Sequence, residues 1–273
     1  MEKIVILAIT YNWDIFKDII YKQYKDFIPN EELKRVHKNG HSIALKKDSQ
    51  ELQEVIVKCE KNNISYRMFA DTYYSKKEIE QKIRYFRMYP SYPTELEGTT
   101  EKNYGTILKG GCPCCGVGNK SLGDVLIDRK LMKKCKIGCL IPDYVVSEEV
   151  KEIIESNGLT GVTFEKRVKD YKGREMDNFY VMNIENILPQ MSKTTWLNEE
   201  RMQKKCDICN YCTTYLESDI QYENEKLDNA LDFNLTKEYV NNYWNRELVV
   251  SAKVRKVFKE NKIRVGFTPV TLL

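Results

Sequence analysis

Apolar and polar positions along residues 1–104 follow patterns that predict strands and helices in turn. Short continuous apolar runs are typical of buried strands, whereas apolar positions three and four residues apart are typical of amphipathic helices. These patterns predict, in chain order, strand 3–9, helix 14–27, strand 42–45, helix 49–62 and strand 65–70. We therefore expect a mixed α/β unit at residues 1–104.

A further helix is predicted to begin at Ser75, because Glu78 follows it three residues later. In such a capping box the serine oxygen accepts a hydrogen bond from the amide of the third residue, and the glutamate accepts one from the serine amide. Pro90 and Pro93 lie beyond the helical pattern, and proline does not continue a helix. The predicted helix therefore covers residues 75–88.

An internal repeat follows this unit. Residues 145–159 and 249–263 match at an offset of 104 residues, with two valines, a serine, a further valine and an asparagine identical. Each copy continues into a β-like tail, at 161–164 and 265–270. The simplest account is a duplicated strand-helix-strand element.

A serine, Ser147 or Ser251, precedes the helical pattern of each copy. Each could be a nucleophile, but serine is a preferred N-cap because its oxygen accepts a hydrogen bond from an otherwise unpaired amide. We therefore interpret both as helix caps. After the first copy, Lys172 and Gly173 predict a turn that leads into a strand at 179–184.

The composition is that of a folded globular protein, with 42% hydrophobic and 31% charged residues. The first apolar run is only six residues long and predicts a strand rather than a secretion signal. No stretch approaches the roughly 18 apolar residues of a membrane helix. The chain is rich in Lys, Asn and Ile, which is typical of an AT-rich bacterial or phage coding background. Together these observations predict a cytoplasmic bacterial protein with reduced thiols and no membrane segment.

Eight of the nine cysteines lie in three clusters, and Cys59 stands alone. The clusters are Cys112, Cys114 and Cys115; Cys135 and Cys139; and Cys206, Cys209 and Cys212. Cysteines two or three residues apart can bind one metal ion, because a tight turn brings both thiolates to it. A chain of this length can also bury a core without disulfides. The clusters therefore predict one or two structural zinc ions.

The preferred assignment of the first site combines Cys112 and Cys115 with Cys135 and Cys139, at the spacing of a zinc ribbon. Gly116, Gly118 and Gly138 are expected to adopt the positive φ angles that let amides point at sulfur. In the alternative assignment, Cys112 and Cys115 share a metal ion with cysteines of the third cluster, which belongs to the other copy of the repeat. A zinc ion bound by four thiolates has no open position for water, so it is structural.

The third cluster, Cys206, Cys209 and Cys212, is a second candidate site that lacks a fourth ligand. The sequence leaves that ligand open. The candidates are Cys114, Cys59, a histidine, or a carboxylate such as Asp207. His37 and His41 have the spacing of a ligand pair, but their Lys-rich surroundings favour a solvated loop.

Two basic patches are candidate contacts for nucleic acid or for another partner. Residues 120–136 contain six Lys or Arg against two Asp, and residues 253–264 contain six against one Glu. The contacts predicted from these patches are Arg129, Lys130, Lys133, Lys134, Lys253 and Arg255. The net charge of +4 is too small to require nucleic acid or to exclude it.

The Cys-x-x-Cys-Gly motif at residues 112–116, followed by the Val-Val-Ser helix start and the Gly-Val-x-Phe tail, resembles the immunity-type proteins of bacterial polymorphic toxin systems. One group of these proteins carries paired motifs of this kind. The resemblance covers residues 105–168 and 247–270, and Asn210 replaces the glycine of the second motif. It implies a cytosolic, non-enzymatic protein that binds a cognate toxin. The basic balance departs from what an inhibitor of a nucleic-acid-cutting toxin would favour.

The expected fold class is α+β, with a mixed α/β unit at residues 1–104 followed by two related zinc-bearing strand-helix-strand modules at 105–190 and 191–273. The expected function is non-enzymatic binding of a macromolecular partner, a protein in the first instance. Two alternatives stay open: a zinc-ribbon nucleic-acid-binding protein, and an enzyme whose site assembles in the amino-terminal unit. The sequence indicates no oligomeric state.

Overall fold

A computed structural model describes residues 2–90, 107–118, 120–127, 132, 135–140, 143–198, 205–210, 214–240 and 246–273. The chain is mixed α/β, with many strands and few helices. It divides into two compact units. The first contains Met1–Lys82, Thr195–Leu197 and Glu217–Asp219, and the second contains Ile83–Thr194, Asn198–Leu216 and Ile220–Leu273.

The strands are short and are numbered in chain order. They are β1 Glu2–Ile9, β2 Ser42–Lys46, β3 Tyr66–Tyr73, β4 Tyr85–Pro90, β5 Ile107–Lys109, β6 Lys120–Leu122, β7 Val125–Ile127, β8 Ile137–Leu140, β9 Asp143–Ser147, β10 Thr163–Glu165, β11 Val168–Asp170, β12 Phe179–Asn183, β13 Leu197–Asn198, β14 Tyr215–Leu216, β15 Gln221–Tyr222, β16 Phe233–Tyr239, β17 Arg246–Ser251, β18 Val265–Pro269 and β19 Thr271–Leu272.

The helices are fewer. The α-helices are α1 Trp13–Ile15, α2 Lys22–Tyr24, α3 Glu31–Val36, α4 Gln50–Lys61, α5 Lys76–Gln81, α6 Glu148–Ser156 and α7 Ala252–Glu260. A π-helical stretch, Phe16–Tyr21, joins α1 to α2, and 3-10 turns occupy Lys25–Phe27 and Asn224–Leu227. The elements predicted for residues 3–70 are therefore confirmed.

In the first unit, β1 is the central strand of a three-stranded sheet in the order β2-β1-β3. Both neighbours run antiparallel to β1, so β2 and β3 are parallel to each other and α4 connects them. The helices cover the sheet, and helices and strands both contribute fully buried side chains to one core. Examples are Leu7, Phe16, Ile20, Ile43 and Val55.

The predicted helix 75–88 is only half right. Ser75 and Glu78 form the expected capping box, but α5 ends at Gln81 and β4 follows it. β4 pairs with β17 on one side and with β18 on the other. Pairing with strands about 160 and 180 residues away thus overrides the local helical pattern. β4 belongs to the second compact unit, and the longest segment of the first unit is Met1–Lys82.

In the second unit, β9-α6-β10 and β17-α7-β18 have the same strand-helix-strand topology, as the repeat predicts. In each copy the two connected strands are parallel, and one antiparallel strand lies between them. That strand is β12 in the first copy and β4 in the second. The sheet orders, β10-β12-β9-β8 and β18-β4-β17-β16, therefore correspond strand by strand.

The first unit contains the same element a third time, as β2-α4-β3 around β1. Its helix has 12 residues, whereas α6 and α7 have nine each. All three helices end alike, because an asparagine side-chain amide donates to the carbonyl four residues before it. The pairs are Asn62 with Lys58, Asn157 with Ile153 and Asn261 with Val257. The residue that follows each asparagine has a positive φ angle.

The two copies of the second unit meet at Gly161, just before β10. The amide of Phe233 donates to the carbonyl of Thr160 at 3.0 Å. A Cβ atom on Gly161 would lie 2.3 Å from the carbonyl oxygen of Phe233, and its φ angle is +89°. Only glycine therefore allows this close approach.

Candidate metal centre

Four cysteines of the second unit bring their sulfur atoms within 4.8 Å of one another: Cys112, Cys115, Cys206 and Cys209. The Sγ atoms of Cys112 and Cys206 are 3.6 Å apart, and those of Cys115 and Cys209 are 3.5 Å apart. Zn–S bonds of about 2.3 Å in a tetrahedron separate the sulfurs by about 3.8 Å. Disulfide sulfurs would be only about 2.05 Å apart. The spacing therefore fits four ligands of one metal ion.

Two loops of the same shape supply the four sulfurs. In the first, the amide of Gly116 donates to the carbonyl of Cys112 at 2.8 Å. In the second, the amide of Asn210 donates to the carbonyl of Cys206 at 2.8 Å. Gly116 has a φ angle of +73° and Asn210 one of +58°. Asparagine tolerates this left-handed conformation better than most residues, so Asn210 can replace the second glycine of the motif.

Backbone amides in each loop point at the first sulfur. The amides of Cys115 and Cys114 lower the pKa of the Cys112 thiol. In the second loop the amides of Cys209 and Ile208 lower the pKa of Cys206 to about 6. A hydrogen bond to the charged form favours it, so these amides stabilise thiolates. Metal ligands must be deprotonated, and the loops are built to assist that step.

Burial acts in the opposite direction on Cys115, whose pKa it raises. Cys206 is buried, Cys112 and Cys115 are half-buried, and Cys209 is exposed. The candidate site thus lies where one edge of the second unit meets solvent.

The preferred sequence-based assignment is corrected by this geometry. Cys135 and Cys139 are not members of the four-cysteine group, and the alternative across the duplication describes it. Cys139 is buried within β8, opposite Tyr144 of β9, and Gly138 lies in the same strand without a positive φ angle. An extended strand carries its side chains apart, whereas the two loops close theirs on one point.

The second predicted site is not formed by the described residues, which contain no further group of three or more possible ligands close together. Cys206 and Cys209 belong to the first group, and Cys212 lies outside the described residues. Cys59, one candidate for the fourth ligand, is buried in α4 of the first unit, where burial raises its pKa to about 11.

The two histidines are not part of the metal group. His37 is buried rather than solvated, and its Nδ1 atom lies 2.5 Å from Ser42 Oγ. Burial lowers its pKa. His41 stacks on Trp13, with 5.3 Å between ring centroids.

The serines of the repeat are helix caps, as predicted. Ser147 Oγ accepts a hydrogen bond from the amide of Val150, and Ser251 Oγ accepts one from the amide of Val254. Ser251 also donates to Asp232 Oδ1 at 2.5 Å. Both side chains therefore have a structural role.

Of the predicted partner contacts, the structure describes two, and both lie on α7. Lys253 donates to the carbonyl of Gly158 at 3.1 Å, and the Arg255 guanidinium lies 4.8 Å from the centre of the Phe86 ring. The other four lie outside the described residues: Arg129, Lys130, Lys133 and Lys134.

The sequence did contain a signal for the correct pairing. The two loops share the pattern Cys-x-x-Cys followed by a residue that tolerates positive φ, and they are offset by 94 residues. That offset is close to the 104 residues of the duplication, which indicates that the two loops are equivalent. In the structure these equivalent loops meet at one site.

Comparison of the chain with models of known protein families and with curated proteins gave no match. None of the described helices is long and apolar enough to cross a membrane.

Proposed function

We propose that the protein is a non-enzymatic binding protein whose second unit is stabilised by one structural zinc ion. The observation that carries this proposal is the group of four sulfurs at tetrahedral spacing. Four thiolates complete the coordination of zinc and leave no position for a water molecule to react. An iron–sulfur cluster would need more room between its ligands than these sulfurs leave.

The proposed partner is a protein. At the start of the helical stretch of the first unit, Tyr11 and Trp13 are 67% and 51% exposed. Ile15 and Ile19, about one turn apart, are also exposed. Clusters of exposed apolar side chains are typical of protein interaction sites. The family resemblance implies a toxin as the partner, and thiolate ligands favour a reducing compartment, the bacterial cytoplasm.

The test is affinity purification from native lysate with nuclease treatment. We expect a protein partner to remain bound to the wild-type chain, and we expect Ile15→Glu together with Ile19→Glu to release it. Val36→Glu together with Val57→Glu is the matched control, because these side chains are 67% and 60% exposed on α3 and α4 of the same unit. A partner that is lost on nuclease treatment, or that all variants retain equally, would argue against the proposal.

A further inference from the structure

The two helices of the duplication carry opposite charges at equivalent outward positions. In α6 these positions are Glu149, Glu152 and Glu155, and in α7 they are Lys253, Lys256 and Lys259. The inward positions are apolar in both, with Val150 and Ile154 matching Val254 and Phe258. The fold therefore needs the apolar face but does not need lysine on the outer face.

The three lysines form a stripe. They are spaced three residues apart, so they lie on one side of the helix with a rise of about 4.5 Å between neighbours. Lys262 and Arg264 extend the exposed basic surface beyond the helix end. Residues 253–264 are half Lys or Arg, against about one residue in six for the whole chain.

Lys262 occupies a costly position. Its φ angle is +56°, and the equivalent residue of the first copy is Gly158 at +57°. Glycine adopts this conformation without strain, whereas a lysine does not. The second copy thus carries a cation where the backbone would favour glycine.

Ion pairs neutralise some of the charges on these two faces. Glu149 pairs with Lys136 at 2.5 Å, and Glu155 pairs with Lys151 at 2.6 Å. In the part of the chain that the structure describes, neither Lys256 nor Lys262 pairs with a carboxylate. The acidic face of α6 is therefore partly neutralised within the protein, and these two lysines of the basic surface are not.

Magnitudes decide which anion suits such a surface. Exposed lysine–carboxylate pairs gain little, so a row of them does not by itself hold an acidic protein. A nucleic-acid backbone differs, because each neutralised phosphate releases condensed counterions and so drives binding at low salt. We infer that the basic surface of α7, from Lys253 to Arg264, binds the phosphate backbone of a nucleic acid without reading its sequence.

This inference goes beyond the proposed function, because it concerns another surface on the other unit. The test uses the full-length, zinc-loaded protein and a fluorescent 20-nucleotide single strand. Lys256→Glu together with Lys262→Glu should weaken binding at least tenfold at 50 mM salt. The slope of log affinity against log salt should fall by about two, since each phosphate contact contributes about 0.7 to 0.9 and reversed charges add repulsion.

The matched control is Lys172→Glu with Lys193→Glu, which changes the net charge equally at two exposed sites of the same unit. The affinity of this control for the labelled strand should stay within about threefold of the wild-type affinity. The melting temperature and zinc content should be unchanged in both double variants. Equal losses in the two doubles, or no binding by the wild type at 50 mM salt, would overturn the inference. Equally tight binding of labelled polyglutamate would also overturn it, in favour of an acidic protein.

Discussion

The two copies of the strand-helix-strand element in the second unit differ in the origin of their central strand. In the first copy, β12 follows α6 closely along the chain. In the second copy, β4 comes from about 160 residues upstream of β17, and Arg87 on β4 pairs with Glu247 on β17 at 2.6 Å. The same local element can therefore be completed by a nearby strand or by a distant one.

A metal ion at the candidate centre would help to hold the distant strand. The chain runs from β4 to the first cysteine loop, through the whole first copy, and then to the second cysteine loop and β17. A metal ion that joins the two loops closes the segment that contains the first copy. The second sheet should therefore depend on the metal more strongly than the first.

The largest expected effect follows from that asymmetry. In the chain-entropy model a cross-link that closes about 100 residues contributes about 4.7 kcal/mol, equivalent to more than a thousandfold in an equilibrium constant. After zinc is chelated, amide hydrogen exchange should accelerate in β17 by about this factor and much less in β9. Equal acceleration in the two strands would break the comparison.

The next effect concerns the core beneath α7 in the second copy. Phe258 is fully buried in α7 and packs near Phe233, with 6.3 Å between ring centroids. Truncation of a buried aromatic residue costs about 3 to 5 kcal/mol. We expect Phe258→Ala to lower the free energy of unfolding by this amount in urea denaturation. Lys256→Ala, on the outer face of the same helix, should change it by less than about 0.5 kcal/mol.

The smallest effect sharpens the comparison of the helix starts. Loss of a serine cap costs about 1 kcal/mol, and Ser147→Ala should cost about that much. Ser251→Ala should cost more, because Ser251 also donates to Asp232. Urea denaturation of both variants checks the order. Loss of partner binding in Ser251→Ala, with folding and zinc content intact, would instead indicate a functional serine.

Local signals in the sequence were sufficient to predict the repeated strand-helix-strand element. The Val-Val-Ser start and the asparagine at the helix end recur in both copies, and each has a local hydrogen-bonding role. The third copy was not detected because α4 is three residues longer, so that its capping serine and terminal asparagine do not align together with those of α6 and α7. β4 was not predicted as a strand because the strands that pair with it lie far along the chain.

The metal ligands show the same limit. The spacing of cysteines correctly identified Cys112 and Cys115 as a pair, because a tight turn is a local structure. The pair that joins Cys112 and Cys115 is determined by the topology of the chain. Nearness in sequence favoured Cys135 and Cys139, and that assignment was wrong. The strand conformation of β8, set by pairing with β9, removes Cys139 from the site.

The most direct test of the metal centre is the zinc content of purified protein, measured by elemental analysis for three chains. The wild type should contain one zinc ion per chain, not two. Cys209→Ser removes a ligand and should reduce the content to well below half an equivalent, whereas Cys139→Ser should leave it near one. Retention of zinc by Cys209→Ser together with its loss from Cys139→Ser would contradict the site described by Cys112, Cys115, Cys206 and Cys209.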